Sequence, residues 1–244
     1  MPANVISRTW SSYLSNLQLV ILSAIALVIA FLVPVFASLP TYNDLGGVFL
    51  RTSSIYLNLN IFNSAVIIIS FLFSLVFISF ALVMMNVIAK HSRTRTKVKT
   101  EVIRSLERFT GMVFAALLIY SILVFAANML SYGTGYSAPI TAVVALVLTP
   151  LVFYAPASIV IDEKGLVRAM RASMAFFFKK FDYFLLWIVV AVILFTVLDF
   201  VFIHALGTVP SRYAMLIISS IFVLPFLMLM QGEMYLNRFG LLKV

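Results

Sequence analysis

Cysteine is absent from all 244 residues, which excludes disulfides, Cys-ligated zinc, iron-sulfur clusters and thiol nucleophiles. Histidine is almost as scarce. His91 sits in a basic loop and His204 near a helix end, read as surface or interfacial residues with no metal-ligand spacing and no Ser-His-Asp triad around them. Charged side chains make up only 10% of the chain, and no Walker, dinucleotide-binding or nucleophile-elbow signature occurs. The sequence therefore gives no support for an enzyme, a cofactor or a metal. In their place it has 64% hydrophobic residues, 23 phenylalanines, 11 methionines and a mean hydropathy of +1.14, beyond the range of a water-soluble domain.

Long apolar stretches run approximately over Leu17–Leu39, Asn63–Ala89, Gly111–Asn128, Ile140–Ile161, Tyr183–His204 and Tyr213–Leu236. About 20 residues at 1.5 Å each cross a hydrocarbon core of about 30 Å. Hydrocarbon leaves the backbone no partner but itself, so these stretches are helices even where Val, Ile and Phe would favour strands in water. The expected fold is all-α, a polytopic transmembrane bundle of six spans with short cytoplasmic amphipathic helices, forming one domain over 1–244. The first stretch is too long for the apolar part of a cleaved signal peptide and is read as a retained span. Pro34, Pro150, Pro156 and Pro225 fall in or near apolar helices and predict bends, above all in spans four and six.

The net charge of +9 is not spread evenly, and it marks one membrane face rather than a nucleic-acid partner. Fifteen of the 17 basic residues fall before span one, in 90–108, in 162–182 or after span six. Only Arg51 and Arg212 lie in the alternate connectors. The positive-inside rule then predicts a cell-membrane protein with both termini and both basic loops cytoplasmic. Of the opposite connectors, Pro40–Phe62 is the longest, Ser131–Pro139 is a glycine-rich turn, and Gly207–Arg212 is a tight hairpin.

Three apolar series precede the odd-numbered spans: Ile6, Trp10, Tyr13, Leu14 and Leu17; Val98, Val102, Leu106 and Phe109; and Leu166, Met170, Met174, Phe177 and Phe181. Their spacing of three and four predicts three cytoplasmic interfacial helices, each feeding a membrane hairpin, in approximate units 1–89, 90–161 and 162–244. Arg104, Arg108, Arg168 and Arg171 on the polar faces are the candidate contacts for anionic lipid headgroups or protein partners.

The turn Asp162-Glu163-Lys164-Gly165, the basic helix Leu166–Ser173 with Ala169 and Ser173 four apart, and Lys179-Lys180-Phe181-Asp182 carry a resemblance that extends over about 40 residues. In these the chain resembles uncharacterised six-helix membrane proteins related to the membrane domain of glycerophosphodiester phosphodiesterases. The resemblance implies the six-span arrangement only; no soluble phosphodiesterase domain accompanies it and no such chemistry carries over. Physically, Gly165 is expected to release the chain from span four, and Ala169 and Ser173 to keep one face of the next helix narrow.

Asp199 is the candidate intramembrane polar site, near the external end of span five, where a charge is costly unless it is protonated, paired or turned to a polar interior. Glu233 and Gln231 approach the cytoplasmic end of span six, where Arg238 permits snorkelling or an interfacial ion pair. Asp162 and Glu163, adjacent on the chain, do not converge on one bond and read as the termination of span four. The distribution points to a membrane-organising or accessory protein, or a subunit of a larger complex, whose partners are anionic lipids, membrane proteins or further copies of the chain. The alternative is a small-solute or ion-coupled transporter.

Overall fold

The computed structural model describes residues 3–36, 41–44, 47–50, 61–91 and 98–237. Its body is an all-α bundle. Helix α1 (Ala3–Ser15) turns by 92° at Asn16 into α2 (Leu17–Phe36), so α1 does not extend the first span but crosses its end. Two four-residue strands follow, β1 (Thr41–Asp44) and β2 (Gly47–Leu50), paired antiparallel with Thr41 opposite Leu50. Then come α3 (Ile61–His91), α4 (Val98–Ser131), α5 (Ser137–Val152), α6 (Ala155–Ile161), α7 (Leu166–Lys179), α8 (Phe181–Leu206), α9 (Thr208–Ile218) and α10 (Leu224–Leu236). A π-helical segment, Ser219–Val223, joins α9 to α10.

Five apolar stretches are long enough to cross a membrane: Ile68–His91, Glu101–Ser131, Ser137–Ile161, Phe181–Leu206 and Tyr213–Leu236. The bent pair of α1 and α2, taken as one broken span, raises the count to as many as six. Span four is α5 with α6, and span six is α9, the π segment and α10. The helix α3 is the centre: Val83, Met84, Met85, Asn86, Val87, Ile88 and Ala89 are fully buried where α2, α4, α6 and α10 pack around it. At its other end Ser74 donates to the Ala30 carbonyl of α2 at 2.6 Å. In the Ser131–Pro139 connector, read as a glycine-rich turn, Gly133 and Gly135 stand at φ +86° and +74°. Gly207, at φ +76°, alone separates α8 from α9.

The three predicted interfacial helices turn out differently. Helices α1 and α7 are separate from their spans, α7 ending at Lys180 where φ is −132° and ψ is 48°. The segment 98–109 is not: it continues into span three as one 34-residue helix, about 51 Å long, which overshoots the hydrocarbon. No proline, glycine pair or capping residue interrupts it, and its predicted apolar series faces inward, Val102 and Phe109 being buried. Residues 92–97 and 238–244, with Arg93, Arg95, Lys97, Arg238 and Lys243, lie outside the described residues, as do Arg51, Asn58 and Asn60.

Candidate functional site at the basic end of the bundle

Proline breaks two spans, and side chains from the two separate amphipathic helices repair them. Pro150 and Pro156 have no amide hydrogen, and span four opens at Phe153-Tyr154 between α5 and α6. An unbroken helix would join the Tyr154 N–H to the Pro150 carbonyl. Here the Ser173 hydroxyl of α7 stands between them, accepting from the Tyr154 N–H at 2.9 Å and donating to the Pro150 carbonyl at 2.8 Å. The neighbouring Phe153 carbonyl accepts from Gln231 Nε2 of α10. In span six Pro225 cannot donate to the Ile221 carbonyl, which instead lies 3.4 Å from the donating Tyr13 hydroxyl of α1. The π segment before it takes up the slack, with the Ser220 hydroxyl donating to the Leu216 carbonyl at 2.7 Å.

Between the repaired spans lies a polar interior. Glu233 is 3% exposed and accepts from the Ser12 hydroxyl of α1 at 3.3 Å. Asn86 of α3 is fully buried, its amide nitrogen donating to the Leu82 carbonyl at 2.8 Å. The Asn86 oxygen has no hydrogen bond among the described residues and faces Gly232 of α10. A Cβ at 232 would lie 2.9 Å from both that oxygen and the Ala89 Cβ, so only glycine lets α3 and α10 approach this closely.

Outside this core an ionic clasp joins α3, α4 and the α6–α7 turn. Lys90 lies 3.2 Å from Glu163 and 3.8 Å from Glu101, His91 Nε2 lies 2.8 Å from Glu101 Oε2, and Arg108 lies 2.7 Å from Glu163. Asp162 accepts from the Tyr235 hydroxyl of α10 at 2.7 Å and pairs with Lys164 at 2.9 Å. The Lys90 hydrogen bond, reinforced by the charges of Lys90 and Arg108, holds the Glu163 carboxyl below the usual carboxylate range. Because these contacts bring together the ends of α3, α4, α6 and α10, the basic connectors gather at one end of the molecule.

No family model, curated protein or solved structure matches the chain.

The geometry sorts the candidates. Arg104, Arg168 and Arg171 are exposed at the basic end, and Arg108 is exposed but committed to Glu163. Asp162 and Glu163 diverge to separate partners, as expected of a terminating turn. The left-handed residue of that turn is Glu163 at φ +54°, whereas Gly165 is extended at φ −65°, so glycine's freedom is not what turns the chain. Asp199 does not face a polar interior: it lies on the exposed side of α8, with no polar partner among the described residues. Glu233 does not snorkel but is buried under α1. His91, read as a surface residue, is buried in the clasp, while His204 is exposed with Nδ1 2.8 Å from the Phe200 carbonyl. Ser173 and Tyr13 were legible only as a small residue and an apolar one; the prolines they serve are remote in sequence.

Proposed function

We propose that the chain is a membrane-organising or accessory protein whose working surface is the basic end, applied to the cytoplasmic face of the cell membrane. One observation carries the reading. Both separate amphipathic helices bury one face against the bundle and still leave a row of large apolar side chains pointing outward, beside arginine. In α1, Val5, Thr9, Ser12 and Tyr13 are buried, while Ile6, Trp10 and Leu14 point out, Trp10 being 56% exposed. In α7, Ala169, Ser173, Phe176 and Phe177 are buried, while Val167, Met174 and Phe178 point out at 61%, 45% and 67%. Arg168, Arg171 and Lys179 flank that row. A helix held this way dips its outer face into acyl chains and lifts its cations to phosphate. The positive-inside distribution supports the cytoplasmic assignment.

Each surface arginine contributes about 1 kcal/mol toward an anionic leaflet, so Arg168→Gln with Arg171→Gln is expected to weaken binding of phosphatidylglycerol by about 30-fold. Purification in native-membrane discs, with mass analysis of retained lipids and proteins, reads this directly. Anionic lipid or a stable protein partner held by the parent chain and lost from the double variant is the expected result. A transporter is the second reading, favoured by the side-chain-held break in span four. A retained small solute, with neither partner nor anionic lipid, would move the assignment there.

A further inference from the structure

Helix α8 is the least embedded of the five long straight spans among the described residues: 11% of its apolar stretch is buried, against 56% in span six. On its broad exposed face Leu185, Val189, Val192, Thr196, Asp199, Ile203 and Leu206 follow at alternating steps of four and three, beside the equally exposed Ile193, Val197 and Phe200. All seven are exposed, the five apolar ones between 40 and 53%. Steps of four and three are the heptad a and d positions, which keep one seam facing a partner helix. The row spans 22 residues, about 32 Å from first to last, which matches the hydrocarbon thickness. Lipid disfavours the carboxyl at the fifth place, about 10 Å from the end of α8.

We propose that this seam pairs α8 with α8 of a second copy of the chain in a parallel, two-fold symmetric dimer. The residue types select that occupant. The a positions are Val189, Thr196 and Ile203, all β-branched, and the d positions are Leu185, Val192, Asp199 and Leu206. β-Branched a positions with γ-branched leucine at d favour two parallel strands. Copies inserted with the same orientation carry Thr196 and Asp199 at the same depth, on consecutive seam positions. A two-fold axis along the membrane normal therefore offers the hydroxyl donor of each copy to the carboxyl acceptor of the other. The polar group that lipid disfavours becomes the group that fixes the register. This inference stands apart from the proposed headgroup contacts: the seam lies on a span, and its failure would leave the basic end unaffected.

Single cysteines introduced into the cysteine-free chain test it without disturbing the core. In phosphatidylcholine–phosphatidylglycerol vesicles, Val189→Cys, Val192→Cys, Thr196→Cys and Ile203→Cys are expected to form oxidative dimers, whereas the exposed off-seam Ile193→Cys and Val197→Cys are not. By subunit-counting photobleaching in the same vesicles the parent chain reads as a dimer. Asp199→Leu is expected to weaken dimerisation by about 3- to 30-fold, and Asp199→Asn to retain most of it. A monomeric parent chain, or cross-links favouring 193 and 197 over 192 and 196, would overturn the proposal.

Discussion

Gly232 shows how little room separates the two most buried helices. Gly232→Ala would place a methyl 2.9 Å from the Asn86 oxygen and the Ala89 Cβ, an overpacking that costs about 1–3 kcal/mol. Thermal unfolding in detergent should show the loss, and Ala89→Gly should restore part of it by removing one of the two obstacles. Glu163 titrates where it can be watched. Its folded-state pKa lies below the ordinary value of 4.5, so its contribution to stability is present above that value and is lost as pH falls through the folded pKa. Glu163 is partly solvated, so Glu163→Gln should lower stability only modestly at neutral pH. The difference between parent and variant should narrow only once pH falls below about 4.5 and close as it passes the lower folded pKa; a difference independent of pH contradicts the ionic clasp.

The amphipathic helices are structural plugs as well as surface elements. Ser173→Ala removes the hydroxyl that spans Tyr154 N–H and Pro150 C=O, and should cost about 1–3 kcal/mol. Tyr13→Phe, which loses one long contact of 3.4 Å, should cost less, about 1 kcal/mol or below. An inverted order, measured by unfolding in mixed micelles, would show that span four does not depend on its inserted serine. Much at this scale is legible in the chain. Twenty apolar residues in a row suffice to declare each span, and Pro150, Pro156 and Pro225 announce where spans four and six fail. What hydropathy cannot convey is which way a side chain faces. Asp199 and Glu233 are each one acid in an apolar run, yet the first points outward and the second lies beneath α1, a difference set by packing remote in sequence. The continuity of α4 was hidden for a similar reason: a basic amphipathic start reads alike whether the helix then turns or runs on.

For the whole molecule, charge and packing describe the same asymmetry. Spans surround α3, and α1 and α7 lie across the basic end with a row of large apolar side chains left on their outer faces. A water-soluble protein would hide such rows, because contiguous apolar patches are not left to water. The charge asymmetry was legible from the basic connectors; the outward apolar rows were not, since spacing identifies an apolar face but not the medium that covers it. Spin labels on single cysteines measure that medium. Labels at Trp10, Met174 and Phe178 should be accessible to oxygen and shielded from a water-soluble nickel complex, while one at Arg168 should sit at headgroup depth. Labels at 174 and 178 that meet the nickel complex as freely as one at Arg168 would contradict the placement of α7 in the membrane surface, and with it the proposed role of the basic end.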